Sequence, residues 1–173
     1  SVELIDLTTG QVSTTQADTQ PDYDEVLWGA SGRTVLHIAL VPNDAAQTAG
    51  RSAELRALSA ADGSEQGMVR VPDITSLRVL YYDDAQGRVA LIRQPEAFQQ
   101  VEWYDLHSGG LASTFPAEGE GEAAISPDGK FLLTEQFPDG QARLALYDMT
   151  GDKPPRLLSH PQNTHSASHC WSP

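Results

Sequence analysis

Residues 123–151, AAISPDGKFLLTEQFPDGQARLALYDMTG, constrain the fold more than any other stretch of the chain. Pro127 fixes the φ angle that a tight turn wants, and Gly129 tolerates the positive φ that follows it. The run Lys130–Glu135 is rich in β-formers and too short to be a helix between two glycine turns. Arg143–Asp148 alternates polar and apolar residues only loosely, which suits a strand covered on both faces. Asp148-Met149-Thr150-Gly151 reads as the next turn, and Arg156-Leu157-Leu158 can supply a fourth, outer strand. The stretch therefore predicts four antiparallel strands joined by tight turns.

The pattern recurs. Gly32, Gly87 and Gly129 each follow an apolar strand and each precede a cation: Arg33, Arg88 and Lys130. Gly32 and Gly87 stand 55 residues apart, and Gly87 and Gly129 stand 42 apart. A second turn recurs as Leu7–Gly10, Leu106–Gly109 and Met149–Gly151, preceded by Asp6, Asp105 and Asp148. Leu58–Gly63 is a longer version of it without the aspartate. Trp28, Ile125 and Trp171 hold the same place before the first turn, so Trp28 and Trp171 are expected to pack in the core. Ser172-Pro173 repeats Ser126-Pro127 after 46 residues. One Ser-Pro-Asp-Gly turn is common, but three copies of the glycine–cation step in register make a tandem repeat. Units of about 40 to 50 residues with four short strands predict an all-β fold, the β-propeller. Residues 1–15 then end one blade, 24–72, 74–116 and 121–160 form three complete ones, and 165–173 begin another.

The SPDGK turn with its downstream YD-x-TG turn resembles the WD-like repeats of the TolB family. Similar repeats occur in the propeller domains of prolyl-oligopeptidase-type peptidases. The resemblance covers nearly the whole chain and implies a protein-binding scaffold, with a periplasmic or cell-envelope location. In proteins resembling this one, peptidase chemistry lies in a separate α/β domain.

Three full blades with partial ones at both ends do not close a ring, and an open arc leaves strand edges and an apolar face uncovered. The expectation is a longer propeller. The alternatives are a shared blade made by the two chain ends, or self-association of two copies that closes the ring.

The formal charge of −13, from 24 acidic and 11 basic side chains, argues against nucleic acid and against an anionic membrane surface. No apolar run reaches 18 residues, so no membrane insertion is expected. A single cysteine, Cys170, cannot form an internal disulfide.

Chemistry-bearing motifs are sparse. His160, His165, His169 and Cys170 are of zinc-ligand type. On a strand, however, His165 and His169 share a face that Cys170 does not, so the expectation is no metal and no cofactor. Glu118, Glu120 and Glu122 read as a flexible, solvated linker between blades rather than a calcium loop. Asp83 and Asp84 sit where aspartate serves a turn's own backbone. No nucleophile elbow or phosphate-binding glycine loop occurs.

The chain is therefore expected to be non-catalytic, presenting loops to a protein or peptide partner. Candidate contacts are Asp83 and Asp84, Ser126 and Asp128, and the long connection carrying Asn43, Asp44 and Arg51. The competing readings are the access-limiting propeller of a serine peptidase whose catalytic domain lies elsewhere, and the extracytoplasmic sensor module of a membrane-anchored regulator.

Overall fold

The computed structural model describes residues 2–5, 12–15, 23–42, 50–120, 122–137, 140–151, 153–158 and 171. Among the described residues the fold is carried by β-strands, and no α-helix occurs. Strands β1 (Val2–Ile5) and β2 (Val12–Thr15) form an antiparallel pair. Three four-stranded sheets follow. The first contains β3 (Tyr23–Trp28), β4 (Thr34–Pro42), β5 (Arg51–Ser59) and β6 (Glu65–Ile74) in chain order. The second contains β7 (Leu77–Asp83), β8 (Arg88–Arg93), β9 (Phe98–Asp105) and β10 (Gly110–Gly119). The third contains β11 (Ala123–Ile125), β12 (Phe131–Gln136), β13 (Arg143–Asp148) and β14 (Arg156–Leu158). Each is the up-and-down meander expected of one repeat.

The glycines are the reason the meanders repeat. Gly32, Gly87 and Gly129 share one left-handed conformation, with φ of 69°, 65° and 72°. A side chain there would strain the backbone, so the glycine–cation step is a steric signature. In the first and third sheets the same two bonds close the turn. Gly29 N–H donates to Thr34 O at 2.9 Å and Gly32 N–H to Gly29 O at 3.0 Å; Ser126 to Phe131 and Gly129 to Ser126 repeat them at 2.8 Å each. A third bond joins the two turns at this end of every sheet: Ala60 N–H to Arg33 O, Leu106 to Gly87 O, and Met149 to Lys130 O.

The chain forms two compact units, residues 1–75, 82–89 and 104–112 in one, and 76–81, 90–103 and 113–173 in the other. In the first, the strand register aligns Leu36 with Ala57 and Ile38 with Leu55, and carries the stripe on through Val69 and Val71. These side chains are buried, and β4 is buried on both faces. In the second, Ile92, Phe98, Val101, Ile125, Leu132, Ala145 and Tyr147 form a single apolar core.

Three expectations need correction. The middle connection of the second sheet is shorter than a loop running to Val101 would be, because Phe98 already heads β9 with its ring buried. A tight turn at Gln94 (φ 51°), closed by Ala97 N–H to Gln94 O, makes this possible. The Glu118–Glu122 segment is not a loose solvated linker. Glu120 N–H donates to Glu135 O and Glu135 N–H to Glu122 O, while Thr134 Oγ1 and Gln136 Nε2 donate to Glu118 O at 2.8 and 3.1 Å. Trp28 is not a core residue: it is 63% exposed at the end of edge strand β3.

Candidate functional site

The hairpin turns place the polar side chains. In each meander the first turn (after β3, β7 or β11) and the last (after β5, β9 or β13) lie at the same end of the sheet. The middle connection and the crossing to the next sheet lie at the other. Arg51 opens β5 at the far end, opposite Pro42 and Ile74. Nine residues of strand, about 30 Å, separate it from the turns of its own sheet. Asp83, Asp84, Ser126 and Asp128 sit at the turn ends of theirs. The expected contacts thus divide between opposite ends, and Arg51 cannot join the turn-end residues of the first sheet in one patch. Asn43 and Asp44 lie outside the described residues, as do His160, His165, His169 and Cys170.

The turn end is built from aspartates and hydroxyls that bond the local backbone. Asp128 Oδ1 accepts from Ser126 Oγ at 2.7 Å and from Lys130 N–H at 3.2 Å, and Ser126 Oγ accepts from Phe131 N–H at 2.9 Å. Asp148 accepts from the Thr150 hydroxyl and N–H. Asp105 accepts from His107 and Ser108 N–H at 2.9 Å each. In the first sheet, where the repeat lacks this aspartate, Ser59 Oγ takes its place by accepting from Ala61 N–H at 3.2 Å.

These bonds favour the ionised carboxylates. The Ser126 hydroxyl and Lys130 N–H hold Asp128 below its ordinary 3.8. Thr150 does the same for Asp148, the N–H groups of Ser108 and His107 for Asp105, and Ser64 for Asp62. A carboxyl whose folded pKa lies below its unfolded value adds stability above the unfolded value, and that stability is lost as pH falls. Thermal melts are therefore expected to be level at neutral and mildly acid pH and to drop once pH falls below about 4. Asp148→Asn should make the acid-side drop shallower. A melting profile unaffected by Asp148→Asn would contradict this account.

Asp84 behaves differently from its neighbour. Asp83 Oδ1 accepts from Ala85 and Gln86 N–H at 3.1 Å within its own turn, as expected. The Asp84 carboxylate instead reaches the first turn of the first sheet. It accepts from Ser31 N–H at 3.2 Å, from the Ser31 hydroxyl, and from Thr34 Oγ1 at 3.3 Å. Tyr82 OH donates to Thr34 Oγ1 at 3.0 Å, and burial pushes that phenol above its ordinary 10.0. Gly29 makes room for this contact, since a Cβ there would lie 2.6 Å from Asp84 Cβ. In the second unit Tyr81 OH donates to Pro127 O at 3.0 Å, and the Tyr81 ring meets Trp103 edge-on with centroids 6.0 Å apart. Trp103 is thereby a packing residue.

Among the described residues no group of three or more His, Cys, Asp or Glu side chains could hold a metal ion. No helix among them is long and apolar enough to cross a membrane. Trp28 is the most exposed large apolar side chain among the described residues, and it stands beside the turn that Asp84 secures. The repeat position that this indole shares with buried Ile125 points to the core, and the structure departs from it. Its alternation with Val26, also exposed, places both on one face of an edge strand.

No protein-family model matches the sequence, and no curated protein matches it either. Solved structures do match. An uncharacterised protein of Listeria monocytogenes EGD-e aligns over 81% of this chain and 41% of its own, with 17% identity and a TM-score of 0.58. TolB from Acinetobacter baumannii aligns over 90% of this chain and 36% of its own, with 16% identity and a TM-score of 0.52. The β-propeller domain of the Trilobed protease from Pyrococcus furiosus aligns over 82% and 44%, with 12% identity and a TM-score of 0.48. The chain thus spans about two-fifths of the length of the structures it matches. Its fold is the β-propeller that its TolB-like repeats imply.

Proposed function

We propose that this β-propeller is a non-catalytic binding module that presents the turn end of its sheets to a protein or peptide partner. The observation that carries the reading is Trp28, a large indole 63% exposed beside a turn that internal hydrogen bonds hold in shape. Tryptophan is the side chain most enriched among residues that dominate binding energy, and a preformed turn adds little ordering cost on association. Asp83 contributes charge in the same compact unit, favouring a partner with basic or amide groups, and Asp128 does so at the corresponding turn of the other unit. Asp84 and Ser126 act by holding turns. Arg51 belongs to a second, separate contact region, and Asn43 and Asp44 are candidates from the sequence alone. The acidity of the chain supports a protein partner over nucleic acid. The periplasmic or cell-envelope location implied by the repeats is part of this proposal.

The test is affinity capture with the purified chain, comparing wild type with Trp28→Ala and with Leu157→Ala, an exposed leucine on β14. Trp28→Ala is expected to weaken capture of a specific partner about thirtyfold, corresponding to about 2 kcal/mol for a hot-spot residue. Leu157→Ala should leave capture unchanged. Equal loss in both variants, or turnover of peptide or ester substrates that a serine-directed inhibitor abolishes, would overturn the reading.

A further inference from the structure

In the second and third sheets, the side chain that ends the first strand and faces the preceding sheet is buried. Tyr82 of β7 is 7% exposed, and its hydroxyl donates to Thr34 Oγ1 of the first sheet at 3.0 Å. Ile125 of β11 is 6% exposed, in a core that takes Leu80 and Tyr81 from β7 of the second sheet. Trp28 holds this place on β3 at 63%, and Val26, on the same face, is 44% exposed. The opening is confined to β3. Across the sheet the register aligns Trp28 with Val35 and Leu58, and Val26 with His37, and those three partners are buried.

Among the described residues the same compact unit also holds a sheet of two strands, β1 and β2, where the other three sheets have four. The sequence between them, Asp6-Leu7-Thr8-Thr9-Gly10, repeats the turns that follow β9 and β13. Strands β1 and β2 therefore correspond to the third and fourth strands of a meander, and a second strand would take the edge of β1 that β2 leaves open. A first strand would follow it. In the other unit that strand is β7, which sets Leu80 and Tyr81 against Ile125. The open edge of β1 and the open face of β3 thus call for one element, a hairpin.

We infer that a β-hairpin of another protein completes this sheet, an inference that rests on the reading of Trp28 as a contact residue. The hairpin's second strand pairs antiparallel with the open edge of β1, and its first strand lies over Val26 and Trp28. Backbone bonds to β1 supply affinity, while Val26 and the Trp28 indole select apolar side chains at alternate positions. The chemistry of the first strand follows from β7. Tyr81 OH donates to Pro127 O at 3.0 Å, and the matching turn bonds of the first sheet put Ala30 in the place of Pro127. The hairpin therefore carries a tyrosine whose hydroxyl donates to Ala30 O. Two copies of a chain of net charge −13 repel each other, which favours a different protein as the donor.

A synthetic peptide of residues 77–93, which form the β7–β8 hairpin, is the probe. Titrated into the whole chain, it is expected to bind and to shield Trp28 from acrylamide quenching, a change that Trp28→Phe removes. Val26→Lys and Trp28→Ala should each weaken binding tenfold or more while the melting temperature stays that of wild type. Tyr81→Phe in the peptide should weaken binding about fivefold, the loss of one hydrogen bond. No binding, binding that a scrambled peptide reproduces, or binding that Val26→Lys leaves intact overturns the proposal. So does a Trp28 indole already shielded in the chain alone, or a dimer that Val26→Lys abolishes, since each assigns the face to this chain. If the hairpin fails to bind while Trp28→Ala still weakens capture of the partner, the binding module stands and the hairpin alone falls.

Discussion

Leu132→Ala should lower the stability of the chain by about 2 to 5 kcal/mol. Leu132 is fully buried on β12, opposite Ile125 on one side and Tyr147 on the other, inside the core that also holds Ile92, Phe98 and Val101. Removing its branched end forfeits the transfer energy of the lost carbons and leaves a cavity. That cavity cannot easily collapse, because hydrogen bonds fix the surrounding strands. Thr134 and Tyr147 both bond the backbone of Glu118, which ties β12 and β13 to the end of β10. For a domain of this size each kcal/mol moves the melting temperature by about 2 to 4 °C, so the expected fall is about 5 °C or more. Denaturant unfolding with an unchanged m-value checks it. A loss below about 1 kcal/mol would mean that the core described around β12 is wrong.

The second large effect is expected at Asp84. Asp84→Ala should cost about 1 to 3 kcal/mol, because it leaves Ser31 N–H and the hydroxyls of Ser31 and Thr34 without the carboxylate that accepts from them. Ser31 is exposed, and water can replace part of what is lost, which sets the lower end of the range. Asp84→Asn keeps an acceptor of the same size and should recover about half of that loss. Asp83→Ala, one residue away, removes only an acceptor within its own turn and should cost less. Urea titration of the three variants should rank Asp84→Ala as the most damaging, Asp84→Asn as intermediate and Asp83→Ala as the mildest. If Asp83→Ala proved as damaging as Asp84→Ala, the bond across to Ser31 and Thr34 would not be the reason.

The turns were legible in the sequence because their requirements are local. A left-handed corner excludes side chains, so Gly32, Gly87 and Gly129 announced three equivalent hairpins without any knowledge of their surroundings. Asp105 and Asp148 were legible on the same ground, since each serves backbone two or three residues on. The limits follow from the same cause. Ser59 performs the aspartate's task through a hydroxyl, so a search for aspartate reads that repeat as a departure. Asp84 spends its charge on residues about fifty positions earlier, and no spacing within a repeat reveals a partner in another. Trp28 shows the converse. Repeat equivalence predicts the same backbone for Trp28 and Ile125, but burial depends on what stands against each face, and there the two differ. The Glu118 carbonyl was invisible for a third reason, because a backbone acceptor carries no residue type to notice.

The corner of the third sheet completes its hydrogen bonding almost wholly from its own six residues, Ser126 to Phe131. A module that closes its own corners can be duplicated, deleted or transplanted without revising the modules beside it. Such a gene can lengthen or shorten by whole units while each retained copy keeps its form. Divergence should then accumulate fastest at positions like Ser31 and Asp84, where one copy has become committed to another and a change on either side must be answered on the other.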